Sequence, residues 1–318
     1  MTCIYYLYII DMETPLKRNG YGSAFNDIYI SDTKVIKKSK NEYGHKKIRK
    51  EIIFYKFLID NNIVFPIPHI YELNDTSYTM QNLKDYISLY KVFPNFTYND
   101  KSAILDRIHN ELNNLHTSST ISVSKMKFEE CLIIETSVKI LERIHDIKGL
   151  IDSYSHIKKV NGIILKSFDI IMATISQKIQ IYTNSLCEYK LSIIHGDCQF
   201  NNILYNTING KIAFIDPRGY YGSIDLYGIP QYDSAKILFA LSGYDVFDNM
   251  DVIDLDIRED TLYIPNLFIT NESFFKGDDI ASILALSIWL GNAHCFKHNP
   301  QKAIYSYFYA LYLCSSYL

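Results

Sequence analysis

One stretch constrains this chain more than any other: residues 191–222, LSIIHGDCQFNNILYNTINGKIAFIDPRGYYG. An apolar run, residues 191–194, breaks at His195-Gly196-Asp197, and Asn202 follows Asp197 by five positions. Ile203-Leu204-Tyr205 reads as a short strand, Asn209-Gly210 as a tight turn, and residues 211–215 as a second strand. That strand ends at Asp216, 19 positions beyond Asp197. A hairpin of this kind brings Asp197, Asn202 and Asp216 to one rim. Each alone would read as ordinary turn or strand-end chemistry, but together they match what phosphoryl transfer from a nucleotide requires. One carboxylate must face the attacking hydroxyl, while an amide oxygen and a second carboxylate hold Mg²⁺ against the phosphates.

The run HGDCQFNNIL followed by FID resembles the aminoglycoside phosphotransferase and choline kinase family of small-molecule kinases, which shares its fold with protein kinases. The resemblance implies an α+β, bilobal protein-kinase-like fold, with a β-rich N-lobe and a mainly helical C-lobe. It implies Asp197 as catalytic base, Asn202 and Asp216 as ligands of Mg²⁺, and ATP or GTP as phosphate donor. Asn201 is adjacent, but the five-residue spacing selects Asn202. Phe200-Asn201 stands where the family often has Pro-Gly, a departure that removes no ligand.

Such a kinase needs a phosphate-covering turn, a lysine and a helix glutamate ahead of this block. Asn19-Gly20-Tyr21-Gly22-Ser23-Ala24 supplies a glycine turn, with Gly20, Gly22 and Ser23 as nucleotide-binding candidates. Val35-Ile36-Lys37 resembles the Val-Ala-Ile-Lys strand of the superfamily. Strand alternation puts Val35 and Lys37 on one face and Lys38 on the other, so Lys38 is the alternative if the register slips by one. Glu51 matches the helix glutamate that pairs with this lysine. Tyr78-Thr79-Met80-Gln81-Asn82-Leu83 falls where the family has its interlobe hinge, so the backbone from Gln81 to Leu83 is expected to bind the base.

The acceptor is expected to be a small hydroxylated molecule. Gly196 precedes the catalytic aspartate where protein kinases carry Arg, and no Ala-Pro-Glu segment follows Asp216. The run IDPRGYYG, with YGIPQYDSAKILFALSGYD after it, looks like a subgroup associated with bacterial capsular or surface-polysaccharide genes. Arg218 is placed near the transferring phosphate or an anionic substrate, with structural pairing to Asp225 or Asp233 as the alternative. Asp233 matches a family aspartate that braces the catalytic loop. The helix ending in Leu115-His116 and the last helices, residues 287–313, also resemble the family, whose last helices wall the acceptor pocket. Tyrosines 305, 307 and 309 fall in that tail, as candidates to stack on a sugar ring. His294 and His298 lie one helical turn apart without the third ligand a metal site would need.

Two other readings compete. A pseudokinase that keeps the fold as a binding or scaffold module is suggested by the atypical loop Cys198-Gln199-Phe200-Asn201. An aminoglycoside-inactivating enzyme would need an acidic pocket for a polycation, which Asp251, Asp254, Asp256, Glu259 and Asp260 are the candidates to supply.

Composition bounds the rest. A net charge of −3 over 318 residues gives no basic footprint for nucleic acid. Six scattered cysteines without a CxxC pair point to reduced thiols and a cytoplasmic setting. The apolar start, residues 4–10, is too short to cross a bilayer and reads as a first strand; no membrane span is expected. The chain is expected to divide into a nucleotide-binding lobe, residues 1–83, and a catalytic and substrate-binding lobe, residues 84–318. Helices are expected at residues 46–60, 103–115, 128–150 and 163–186, with a buried helix closing the chain.

Overall fold

The computed structural model describes residues 25–250, 252–265, 267–269 and 279–318. The glycine turn with Gly20, Gly22 and Ser23, and the expected strand at residues 4–10, lie outside the described residues.

The first described elements form a four-stranded sheet with one helix. Strands β1 (Asn26–Ile30) and β2 (Lys34–Ser39) pair antiparallel around the Ser31-Asp32-Thr33 turn, with Ile28 opposite Lys37. Helix α1 (Glu42–Asp60) starts where the Asn41 side chain accepts the Gly44 N–H. It buries Ile48, Glu51, Tyr55 and Leu58, spaced three and four apart along one face. Strands β3 (Ile70–Asn74) and β4 (Ser77–Gln81) complete the sheet in the order β1-β2-β4-β3.

The remainder is mainly helical, with short strands where the chain turns back. After β5 (Tyr86–Ser88), helix α2 (Tyr98–Ser118) runs to β6 (Thr120–Ser122). The long helix expected over residues 128–150 is observed as α3 (Lys125–Ile133), a π-helical turn at Ile134–Val138, α4 (Lys139–Asp146) and α5 (Lys148–Asp152). The π-turn carries Glu135 and Thr136 inward, in keeping with the frequent use of such turns at functional sites. The next helix begins later than expected. Residues 163–164 pair as β8 (Ile163–Ile164) with β7 (Lys159–Val160), and α6 (Phe168–Ser185) starts only after Ser167, whose hydroxyl caps it.

Strand β9 (Lys190–Ile193) leads to the hairpin read from the sequence, β10 (Ile203–Asn206) and β11 (Ile212–Phe214), antiparallel with Ile203 opposite Phe214. Strands β12 (Tyr220–Tyr221), β13 (Ile224–Asp225) and β14 (Tyr227–Gly228) follow, then α7 (Gln231–Leu241) and α8 (Tyr244–Asp248). Strands β15 (Asp256–Arg258) and β16 (Thr261–Tyr263) join β7 and β8 in one sheet, and α9 (Ile280–Asn292) and α10 (Pro300–Tyr317) close the chain. Helix α9 is buried almost all round, which identifies it as the central helix of this part.

Two apolar cores result. One joins α3, α4, α6, α7, α9 and α10. The other joins α1 and the first sheet to α2 and to Ile193, Cys198, Phe200, Ile203 and Phe214 in the 191–222 block. The block is therefore anchored in the same core as the helix that carries Glu51. Tyr305, Tyr307 and Tyr309 are core residues: Tyr305 stacks on Phe247, and the Tyr309 hydroxyl donates to the Ser242 carbonyl. They are not free to stack on a sugar. Among the described residues no helix is long and apolar enough to cross a membrane.

Candidate active site

Two buried carboxylates shape the loop that follows β9. Asp233, on α7, accepts the His195 N–H at 3.0 Å, the Gly196 N–H at 2.6 Å and His116 Nε2 at 2.9 Å. Burial alone would raise its carboxyl, but the His116 hydrogen bond and charge hold it below the usual range. Asp245, on α8, accepts the N–H groups of Phe200 and Asn201 at 3.1 and 2.9 Å, and its burial pushes the carboxyl up to about 7. One aspartate thus holds the start of the loop and the other its end. Asp245 stands in the Gly243-Tyr244-Asp245 run but carries no motif signal of its own.

Between these anchors, Asn202 donates its amide to the Asp197 carbonyl at 2.9 Å and to Asp197 Oδ2 at 3.0 Å. The Asn202 carbonyl accepts the Ile215 N–H at 3.0 Å, which seats Asp216 next to the loop. Asp216 Oδ1 lies 3.1 Å from Lys37 Nζ, and Lys37 lies 2.8 Å from Glu51 Oε2. The Tyr78 hydroxyl donates to Glu51 at 2.8 Å and lies 3.4 Å from Asp216 Oδ1. Lys37 and Asp216, 179 positions apart in sequence, thus share one network. Burial works against the charge of both Lys37 and Glu51. The carboxylates of Asp216 and Glu51 nonetheless hold the ammonium above its ordinary value, while Glu51 remains raised. Lys38 is exposed on the opposite face of β2 and joins none of these contacts.

A residue without a role in the sequence reading completes the loop. Lys236, one turn along α7 from Asp233, places Nζ 2.8 Å from Asp197 Oδ1. Burial would raise the Asp197 carboxyl, but the Lys236 ammonium outweighs it and holds the group below the ordinary carboxylate range. The Asp197 side chain remains 30% exposed.

Arg218 does not pair with Asp225 or Asp233. Its guanidinium donates to Glu135 at 2.6 Å and to the Tyr232 hydroxyl at 2.5 Å, and its backbone N–H donates to the His195 carbonyl at 2.8 Å. Asp225 instead takes Lys50 of α1 at 2.6 Å. Glu135 also accepts Lys139 Nζ at 2.7 Å and the Gly222 N–H at 2.9 Å. Against the effect of burial, these cations hold its carboxyl down at about 2.

At the end of β4 the Gln81 N–H donates to the His69 carbonyl and the Asn82 N–H to the Thr33 carbonyl, both within the sheet region. The Leu83 N–H has no hydrogen-bond partner among the described residues. His294 is bonded to Asp146 at 2.7 Å. The acidic stretch near residue 256 is partly neutralised, with Asp256 on Arg258 at 2.9 Å and Asp260 on Lys159 at 3.1 Å.

A divalent ion fits one place in this arrangement. Asn202 donates its amide inward, and neither its Oδ1 nor Asp216 Oδ2 has a hydrogen-bond partner among the described residues. Both are hard oxygen donors of the kind Mg²⁺ accepts together with phosphate oxygens. Among the described residues no three His, Cys, Asp or Glu side chains gather into a metal cage, so such an ion would lean on the ligand's own oxygens.

No protein-family model and no curated protein matches the chain. Solved structures do. The aminoglycoside phosphotransferase APH(2″)-IIa, in a ternary complex with streptomycin and ATP, matches with a TM-score of 0.53 at 16% identity, over 95% of this chain and 92% of that one. Choline kinase LicA from Streptococcus pneumoniae matches with a TM-score of 0.52 at 13% identity, over 97% and 95%. A glucosamine kinase in complex with glucosamine, ADP and inorganic phosphate gives 0.51 at 10% identity, over 91% and 73%. At these identities the likeness is one of fold: a β-rich N-terminal part and a helical C-terminal part, in the kinase-like arrangement these small-molecule kinases share.

Proposed function

We propose that this protein is a small-molecule kinase, transferring the γ-phosphate of ATP or GTP to a hydroxyl of a sugar, amino alcohol or related metabolite. The observation that carries the reading is the single network Lys236–Asp197–Asn202 and Asp216–Lys37–Glu51, with an open carboxylate at one end and a buried ammonium at the other. In this reading residues 1–83 hold the nucleotide and residues 84–318 the acceptor. The Leu83 N–H meets the base, and Lys37 lies against the α- and β-phosphates. Asn202 and Asp216 would hold Mg²⁺, which when bound offsets phosphate charge. The acceptor oxygen forms a bond to the γ-phosphorus while the bond to the β,γ-bridging oxygen breaks, releasing the nucleoside diphosphate. The acceptor's proton passes to Asp197. Lys236 keeps that carboxylate ionised and aimed.

Asp216-Pro217-Arg218-Gly219 supports an acceptor of the surface-polysaccharide kind. Free thiols at Cys131, Cys187, Cys198, Cys295 and Cys314 support a cytoplasmic setting. The test is a transfer screen over sugars, amino alcohols and aminoglycosides with both nucleotides and Mg²⁺. Phosphate transfer to at least one hydroxylated acceptor is expected. Neither nucleotide binding nor transfer under any condition would overturn the reading and favour a scaffold.

A further inference from the structure

Five cationic side chains surround Tyr220, Cys295 and Asp197, from four separate parts of the fold. Lys47 comes from α1, Lys139 and Arg143 from one face of α4, Arg218 from the segment after Asp216, and Lys236 from α7. Their charges are not matched. Arg218 and Lys139 share a single Glu135 oxygen at 2.6 and 2.7 Å. Lys236 takes Asp197 one to one. Lys47 lies near the rings of Phe25 and Tyr43, and Arg143 donates to the Gly291 carbonyl at 3.2 Å. Neither has a carboxylate partner among the described residues. Five cations thus face two carboxylates in a chain whose net charge is −3.

Two further carboxylates reach Asp197 with their fields, Asp245 and Asp248. Asp245 is bonded to the loop backbone, and Asp248 is offset by Lys302. Counting these three residues and Asp233, which is bonded to His116 behind the loop, leaves six cations against five carboxylates. The Lys37–Glu51–Asp216 group belongs to the nucleotide side, and Lys50 is matched by Asp225.

The neighbouring groups register the excess. The Tyr220 ring sits 4.1 Å from the Arg218 guanidinium and 5.1 Å from Lys139 Nζ. Arg218, with Lys47 and Lys139, draws its hydroxyl down to about 7. Burial, with the Arg218 charge beside it, pushes Lys139 down to about 8. At the buried Cys295 the fields of Arg143, Lys47 and Lys236 oppose the rise that burial imposes. Water reaches this surface, since the Lys139 side chain is 25% exposed and Tyr220, Lys47 and Arg143 are half-buried. An anion entering here replaces unfavourable like-charge contacts with charge-assisted hydrogen bonds. A polycation or quaternary ammonium would meet like charge.

We infer that the acceptor carries a fixed negative charge, as a carboxylate or phosphate ester on a hydroxylated small molecule, held by Lys139, Arg143 and Lys47 beside Asp197. The inference rests on the kinase reading above for the position of the acceptor.

It is tested by calorimetric binding of glucose, glucosamine, glucuronate, glucose 6-phosphate and kanamycin to the full-length protein with Mg²⁺ and ADP present. Binding of ADP is measured first, so that failure of the kinase reading shows separately, as an absence of nucleotide binding. At least one of the two anions is expected to bind about tenfold or more tightly than glucose, with glucosamine and kanamycin weaker than either. The two anions distinguish carboxylate from phosphate ester. Raising salt should erode the advantage, and Arg143→Ala should remove most of it while leaving the ADP affinity unchanged. Anions binding no more tightly than glucose, kanamycin binding best, no acceptor binding at all, or an anion preference that survives both Arg143→Ala and Lys139→Gln would each overturn it.

Discussion

Lys236 Nζ lies 2.8 Å from Asp197 Oδ1, so the carboxylate proposed to receive the acceptor proton is itself half of an ion pair. In protein kinases a basic residue close behind the catalytic aspartate serves the same neighbourhood. Here positions 199 and 201 are Gln and Asn, and the cation arrives from α7 instead. Replacing Lys236 with Met should lower kcat by about 10²-fold, the scale for loss of one preorganised charge at a reacting centre. Nucleotide affinity should stay within about twofold, and Lys236→Arg should recover part of the loss. Steady-state kinetics of all three proteins checks this.

Lys37 is buried against two carboxylates, at 2.8 Å from Glu51 and 3.1 Å from Asp216. Removing the ammonium leaves both carboxylates, and the Tyr78 hydroxyl between them, in a site with little solvent. Lys37→Met should therefore destabilise the fold by about 3–5 kcal/mol, as expected when one partner of a buried pair is removed. It should also abolish detectable nucleotide binding. Lys38→Met, on the exposed face of the same strand, should do neither. Denaturant melts and ADP calorimetry on the two variants separate the outcomes.

Glu135 makes acid stability informative. Its carboxyl stands at about 2 in the folded protein against an ordinary value of 4.5. A depressed carboxyl contributes stability that is fully present above the unfolded value and is lost as pH falls through the folded one. The contribution of the Glu135–Arg218–Lys139 cluster should thus be complete above about pH 4.5 and fade toward about pH 2. Glu135→Gln should lower stability at pH 7 by about 3–5 kcal/mol, and the gap to the parent should narrow in that acid window. Urea titrations of both proteins at pH 7, 4.5 and 3 measure the gap.

Two glycines in left-handed backbone give a matched comparison. Gly162 (φ +81°) has nothing within 4 Å of where a Cβ would stand, whereas at Gly219 (φ +68°) that Cβ would fall 2.2 Å from the Lys50 carbonyl oxygen. Gly162→Ala should cost about 1–2 kcal/mol, the backbone penalty alone. Gly219→Ala must also push α1 away from the segment after Asp216, so its melting temperature should fall clearly further.

The parts of the site that were legible in sequence are those fixed by short-range spacing. Asp197 and Asn202 are joined through a five-residue loop, Asp216 follows one hairpin later, and the Val35-Ile36-Lys37 resemblance narrows the lysine to Lys37 or Lys38, of which the structure buries Lys37. What stayed hidden depends on packing between distant elements. The partner of Arg218 is Glu135, 83 positions earlier on a π-helical turn that no helical periodicity announces. Asp245 reads as one more polar residue until α8 seats it beneath the Phe200 and Asn201 N–H groups. Lys236 reads as an ordinary helix residue because its target lies 39 positions away, across a loop. The late start of α6 has a local cause: the Asn161-Gly162 turn lets residues 163–164 pair as a strand, and Ser167 then caps the helix.

Asp197 and Asp216 are proposed to act together on a bound nucleotide. The most direct measurement is the Mg²⁺-dependent release or transfer of the γ-phosphate from ATP and GTP by the parent, Asp197→Asn and Asp216→Ala, with each variant's fold verified by circular dichroism. The parent should be active and lose activity to a chelator. Both variants should fall by at least about 10²-fold, with Asp197→Asn still binding Mg-ADP. Activity undiminished in either folded variant would contradict the account.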